Sequence, residues 1–125
     1  MELIIFIFDI LLEVKGDLTV FPKDQHAFPG SRVILECSTD LDYKPKWTFK
    51  SSRSDGLKTE DIYYDGEIVD KFTGKGFKMN TSLPGQHDLI ICNVKEEFSG
   101  LYNCHDKEGL GSQNASATLL VQGIY

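Results

Sequence analysis

Cys37, Trp47, Tyr102 and Cys104 follow one another in an order that strongly limits the folds this chain can adopt. Side chains alternate between the two faces of a β-strand, so Tyr102 and Cys104 lie on the same face of one strand. Segment 33–37 alternates in the same way and places Cys37 on an apolar face, and Trp47 lies in a third alternating segment. The sequence therefore predicts three strands that direct these four side chains towards one core.

This order of cysteine, tryptophan and Tyr-x-Cys resembles the immunoglobulin superfamily, and the resemblance covers nearly everything after residue 16. It implies an all-β, Greek-key sandwich in which a Cys37–Cys104 disulfide links two sheets. Trp47, Tyr102 and Leu89 are then the signature residues of the core. A disulfide of this kind implies an oxidising compartment, so we expect a secreted protein or a cell-surface ectodomain.

Two turn signals after the Trp47 strand indicate an additional hairpin. Asp55-Gly56 and Asp65-Gly66 both fit tight turns, and segments 62–64 and 67–69 beside the second turn have strand character. Extra strands C′ and C″ at this point distinguish variable-type from constant-type domains. We therefore predict a variable-type domain at 17–123, similar to those of innate immune-type or adhesion receptors.

Residues 1–16 differ from the rest of the chain. Positions 3–12 are apolar apart from Asp9, a length that suits the core of a signal peptide and is too short to span a bilayer. The segment begins with Glu2 where a signal peptide normally carries a positive charge. The prediction is a signal peptide, and the alternative is an N-terminal extension.

The composition argues against several classes of function. The net charge of −6 is the opposite of the basic stripe that nucleic-acid binders carry. Membrane attachment would need an anchor outside this chain, since no apolar run is long enough to span a bilayer. The histidines His26, His87 and His105 lack metal-ligand spacing, and no serine lies in a nucleophile-elbow motif. We expect no enzymatic activity, no metal and no cofactor.

Two further features concern covalent chemistry. Leu89 and Ile91 point towards the predicted core, so alternation turns Cys92 outward, either as a free thiol or as one half of an intermolecular bridge. Asn80 and Asn114 each begin an Asn-x-Ser triplet, which predicts N-glycosylation at both positions.

One position departs from the family pattern. Variable domains usually pair an aspartate, two residues before the strand F glycine, with an arginine at the start of strand D. Here those positions hold Phe98 and Lys71. Glu96 or Glu97 is the expected alternative partner of Lys71, in a surface pair worth about 0–1 kcal/mol.

The outward residues of predicted strands F, C, C′ and C″ form the candidate partner surface, with Tyr63 or Tyr64 as the contribution of C′. An apolar residue and a tyrosine among polar neighbours is the composition expected of a protein interface. In variable-type domains this sheet commonly mediates homodimers, adhesion or receptor pairing. The predicted partner-binding residues are Leu101, Asn103, His105, Thr48, Lys46, Tyr64 and Ile68.

The leading hypothesis is an extracellular recognition or adhesion module that binds a protein partner, a second copy included, through the G-F-C-C′ sheet. The alternative is a soluble innate-defence domain that binds microbial glycans or proteins through loop tips 38–44, 64–67 and 105–113. A structural repeat of the muscle-protein kind is disfavoured by the predicted bridge and the glycosylation triplets, and the chain contains no tandem repeat.

Overall fold

The computed structural model describes residues 18–40, 45–53, 58–105 and 114–123, which form a sandwich of β-sheets. In chain order the strands are β1 (Leu18–Val20), β2 (Gln25–Ala27), β3 (Val33–Leu35), β4 (Ser38–Thr39), β5 (Lys46–Ser51), β6 (Thr59–Tyr64), β7 (Glu67–Ile68), β8 (Phe77–Asn80), β9 (Asp88–Ile91), β10 (Gly100–His105) and β11 (Asn114–Val121). A helical turn α1 (Asp70–Thr73) precedes β8, and a 3₁₀ turn η1 (Glu96–Phe98) precedes β10. The predicted extension at 1–16, the turn at 55–56 and most of the loop at 105–113 lie outside the described residues.

The larger sheet has the strand order β2-β11-β10-β5-β6-β7. Its strands pair antiparallel, except that β2 runs parallel to β11. The central strand β10 alternates as its sequence predicted, because Tyr102 and Cys104 are buried whereas Leu101, Asn103 and His105 are not. In the register with β5, Tyr102 lies opposite Phe49 and Cys104 opposite Trp47.

The second sheet has the order β3-β9-β8, and a two-stranded ladder of β1 and β4 accompanies it. The chain continues past the buried Pro22 from β1 to β2, which joins the larger sheet. Proline cannot donate a hydrogen bond to a strand ladder, so it suits the point where the chain leaves one sheet for the other. In β8, Phe77 is buried and Met79 packs against the core, as predicted.

The turn between β6 and β7 has the conformation that its sequence predicted. Asp65 and Gly66 both have positive φ, at 55° and 84°, as a two-residue type I′ turn requires. The flanking strands pair Tyr63 with Ile68 and Tyr64 with Glu67. Both strands expected between C and D are therefore present in the larger sheet.

The core between the sheets is built around the Cys37–Cys104 disulfide, whose Cα atoms lie 6.6 Å apart. Trp47, Tyr102 and Leu89, the predicted core residues, are all fully buried in the same core. The bridge joins positions separated by 67 residues. In the chain-entropy description, closing a loop of this size stabilises the fold by about 4 kcal/mol.

One end of the sandwich is closed by aromatic side chains. Phe98 meets Phe77 at 5.0 Å between ring centroids, and Phe77 meets Phe72 at 5.0 Å. Phe72 in turn lies 6.5 Å from Phe49, which stacks on Tyr102 at 4.7 Å. Each such pair contributes about 0.5–1.5 kcal/mol beyond the burial of its area. Phe98 thus fills the place of the usual aspartate with apolar packing.

The expected pairing of Lys71 with Glu96 or Glu97 is not what the structure shows. Lys71 pairs instead with Glu60 of β6, while Glu96 lies 3.8 Å from Arg53. Lys71 belongs to the helical turn α1, which places its ammonium group within reach of the Glu60 carboxylate on β6.

Candidate functional site

The exposed face of the larger sheet is centred on β10. Because Tyr102 and Cys104 face the core, Leu101, Asn103 and His105 face solvent, as predicted. Leu101 is 42% exposed, a large value for a leucine in the middle of a sheet, and Asn103 and His105 are partly exposed.

Leu101 and Asn103 are framed by polar groups of the neighbouring strands. Leu101 lies opposite Lys50 on one side and Thr118 on the other, and both of these residues are exposed. Asn103 is held in place by Ser116, whose hydroxyl donates a hydrogen bond of 2.9 Å to Asn103 Oδ1. The result is an apolar side chain surrounded by polar ones, the arrangement expected of an interface.

A charged and aromatic cluster lies at the other end of this face. Lys46, which lies opposite His105 in the register, places its ammonium 3.0 Å from Asp61 Oδ1 and 5.3 Å from the centroid of the Tyr64 ring. An ammonium over an aromatic face gains about 0.5–1 kcal/mol at an exposed site. The cluster therefore favours this position of Tyr64, which is 43% exposed on the surface.

The structure shows which of Tyr63 and Tyr64 faces solvent, a choice that the sequence left open. In the pairing of β5 with β6, Trp47 lies opposite Tyr63 but Thr48 lies opposite Asp61, so Ile62 is an extra residue on β6. Such an irregularity interrupts the alternation of side chains. Ile62 and Tyr63 are consequently both buried, and Tyr64 faces solvent.

Two of the predicted partner-binding residues do not belong to the exposed face. Ile68 lies opposite the buried Tyr63 and packs against the core, because the irregularity in β6 also sets the direction of β7. Thr48 does face outward, but its short side chain lies between Asn103 and Asp61 and only 6% of it is exposed. We therefore correct the candidate surface by removing Thr48 and Ile68.

Two members of the face were not identified from the sequence. Asp61 pairs with Lys46, and Leu120 is 45% exposed on β11, opposite His26 of β2. Alternation could have found Leu120, since Leu119 is buried beside it. We call the exposed set the outer sheet surface: Leu101, Asn103, His105, Lys46, Asp61, Tyr64 and Leu120.

The remaining candidate residues lie elsewhere. Cys92 is half buried and forms no disulfide within the described chain. It follows the last residue of β9, so the strand alternation that predicted an outward thiol no longer applies at this position. Asn80 is the last residue of β8 and Asn114 the first of β11.

Within the described ranges, no group of three or more histidine, cysteine or acidic side chains could hold a metal ion. The same part of the chain contains no helix long and apolar enough to cross a membrane. Burial raises the pKa of the Tyr63 phenol above its ordinary value of 10.0, because the charged phenolate is disfavoured away from water.

No protein-family model matches the chain. Among curated proteins, human (Homo sapiens) contactin-3 is 28% identical over 110 residues, which cover 85% of this chain and 9% of contactin-3. The chain thus spans less than a tenth of the length of that relative.

Solved structures with a similar fold include the RIG-5 IG1 homodimer and Dpr1 IG1 bound to DIP-eta IG1. The first has a TM-score of 0.64 at 17% identity and covers 86% of this chain and 97% of that one. The second has a TM-score of 0.63 at 15% identity, with 86% and 95% covered. A chimeric titin Z1Z2 tandem reaches 0.62 at 20% identity, with 86% and 50% covered. At these identities the likeness establishes the fold alone: the chain is an immunoglobulin-type sandwich of two sheets bridged by Cys37 and Cys104.

Proposed function

We propose that the chain is an extracellular recognition module that binds a protein partner through the outer sheet surface. A second copy of the chain is the first partner to test. The observation that carries the proposal is Leu101, which is 42% exposed on a central strand of the larger sheet and surrounded by polar side chains.

The energetics of this surface favour association with another protein. Fully burying a leucine contributes about 1.5–3 kcal/mol, so covering the exposed part of Leu101 contributes about 1 kcal/mol. Tyr64 adds a large aromatic surface, and its contact with Lys46 reduces the side-chain entropy that is lost on binding. Aromatic anchors of this kind carry much of the binding energy in protein interfaces.

The proposed compartment and subtype rest on two other features. The Cys37–Cys104 bridge is of a kind that persists in oxidising surroundings, which supports a secreted or cell-surface location. Strands β6 and β7 extend the larger sheet beyond β5, which supports the variable subtype.

The partner we propose is itself an immunoglobulin-type domain. Two of the structures with a similar fold are a homodimer of RIG-5 IG1 and a pair formed by Dpr1 IG1 and DIP-eta IG1. Those pairings belong to those proteins. For this chain they support testing self-association before any other partner.

The test is the molar mass by light scattering after size exclusion, measured across protein concentration. We expect the parent chain to dimerise and the Leu101→Arg variant to have a dissociation constant at least about tenfold higher, equivalent to about 1.4 kcal/mol. The matched control is Ile34→Arg, because Ile34 is 41% exposed on a strand of the opposite sheet. It should dimerise like the parent.

Three results would overturn the assignment. Equal dimerisation of the Leu101→Arg variant and the parent would remove the outer sheet surface from the interface. A dimer that reductant abolishes while the fold survives would assign the contact to Cys92. A monomer at all concentrations would exclude the second copy as partner.

A further inference from the structure

The exposed face of the smaller sheet differs in character from the outer sheet surface. In β8, Phe77 and Met79 face the core, so Lys78 and Asn80 face outward. The register places Lys78 opposite Ile90 of β9, and Ile90 opposite Ile34 of β3. The exposed apolar part of this second face is Ile34, which is 41% exposed, since Ile90 beside it is only 8% exposed. Asn80 lies at the edge of the same face.

We propose that Asn80 carries an N-linked glycan that covers this second face, which lies on the sheet opposite to Leu101. The proposal rests on the extracellular part of the proposed function, since glycan transfer requires export.

The carboxamide of Asn80 is positioned for this modification. The Ser82 backbone N–H and the Ser82 hydroxyl both donate to Asn80 Oδ1, at 3.1 and 2.5 Å. Within the described ranges no hydrogen bond engages Nδ2, the atom to which the sugar would be joined. The four residues that follow Asn80, positions 81–84, are all exposed, so no neighbouring segment covers the site.

The reaction is a glycosyl transfer from a polyprenyl-pyrophosphate-linked oligosaccharide in the secretory pathway. The bond between the anomeric carbon and the pyrophosphate oxygen breaks, and the oxygen leaves with the electron pair. Nδ2 of Asn80 loses a proton and forms the new carbon–nitrogen bond. No oxidant or reductant is needed, so the atoms and charges balance with the donor and the asparagine alone.

The position of Asn80 determines which face the glycan covers. From strand spacing, Asn80 lies roughly 8 Å from Ile90 and roughly 12 Å from Ile34 across the same face. The first sugar rings of a bulky, solubilising glycan reach that far. Strand β8 is also the edge strand of its sheet, and edges are commonly protected against pairing with other chains.

The first experiment expresses the full chain in the secretory pathway of cultured animal cells. It measures the mass of the proteolytic peptide that contains position 80, separately from the peptide that contains Asn114, before and after peptide N-glycosidase. We expect a glycan whose removal converts Asn80 to aspartate, and we expect its loss in the Asn80→Gln and Ser82→Ala variants. The matched control is Thr81→Ala, which alters an exposed neighbour and preserves the Asn-x-Ser triplet, so it should retain the glycan.

The second experiment tests the covered face by hydroxyl-radical labelling of the glycosylated parent and of the Asn80→Gln variant, so that position 114 is the same in both samples. We expect labelling of Ile34 to rise when the glycan is removed and labelling of Leu101 to stay unchanged. Equal labelling of Ile34 in both samples would overturn the covering role. An unmodified Asn80 in a chain that forms the Cys37–Cys104 bridge would overturn the site while leaving the proposed function intact. If the exported chain forms neither the Cys37–Cys104 bridge nor a glycan at Asn80, both the extracellular location and this inference are overturned.

Discussion

The hydroxyl group of Tyr102 offers a sharp test of how the core is stabilised. It donates a hydrogen bond of 2.6 Å to the backbone carbonyl of Phe98, and the Tyr102 side chain is fully buried. A Tyr102→Phe substitution keeps the ring that stacks on Phe49 but leaves the Phe98 carbonyl without its donor. An unsatisfied buried acceptor costs about 1–3 kcal/mol, so we expect the free energy of unfolding at neutral pH to fall by that amount.

The same substitution should change how stability depends on pH. Burial raises the pKa of Tyr102 above its ordinary value of 10.0. Because the folded-state pKa is the higher one, this tyrosine contributes fully below about pH 10 and loses its contribution as the pH rises further. The loss amounts to about 1.4 kcal/mol per pH unit. The phenylalanine variant lacks this term, so its deficit should shrink in alkali. Tyr63, whose pKa is also raised, remains in both proteins and cancels in the difference.

The assay is urea unfolding at about pH 7 and about pH 11, with the disulfide intact, analysed by linear extrapolation. Tyr64→Phe is the control, since Tyr64 is 43% exposed and should change stability by less than about 0.5 kcal/mol. A Tyr102→Phe deficit below about 0.5 kcal/mol at neutral pH would refute the hydrogen-bond argument. An equal deficit at both pH values would refute the claim that Tyr102 keeps its proton in the folded state.

Two further pairs of substitutions, each a test and its control, examine the packing. Phe98→Ala should lower the free energy of unfolding by about 3–5 kcal/mol in urea titrations, because Phe98 is only 2% exposed. The control Lys71→Met should lower the free energy of unfolding by at most about 1 kcal/mol. Equal losses for the two variants would contradict the aromatic packing of Phe98 at this end of the sandwich. Gly85→Ala should cost more than about 1–2 kcal/mol, because Gly85 has a φ of +78° and its new Cβ would lie 2.1 Å from the Thr39 carbonyl oxygen. The control is Gly74→Ala, which has open space around it and should stay within about 0.5 kcal/mol of the parent. A Gly85→Ala variant as stable as this control would be inconsistent with the close approach of the Thr39 carbonyl oxygen.

The parts of the fold that follow from local alternation could be predicted from the sequence. Strands β10 and β11 alternate regularly, so the inward positions of Tyr102, Cys104 and Leu119 were correctly predicted. The Asp65-Gly66 turn could be predicted because few residue pairs accept positive φ at both positions.

The parts that depend on distant pairing could not be predicted in this way. A single extra residue on β6 determines that Tyr63 is buried and Tyr64 exposed, a choice that the sequence left open, and it turns Ile68 towards the core. The partner of Lys71 depends on which strand passes beside α1, and nothing local to Lys71 specifies Glu60. The crossing from β1 to β2 was likewise missed, because the partners of both strands lie far along the chain.

The parallel pairing of β2 with β11 determines how the domain resists mechanical force. Strand β2 belongs to the beginning of the sandwich and β11 to its end, and the two pair at positions 25–27 and 119–121. Because these strands run in the same direction, tension applied to the two ends of the domain slides one strand along the other. The hydrogen bonds between them then share the load and must break together, whereas bonds peeled apart from one end would break in succession.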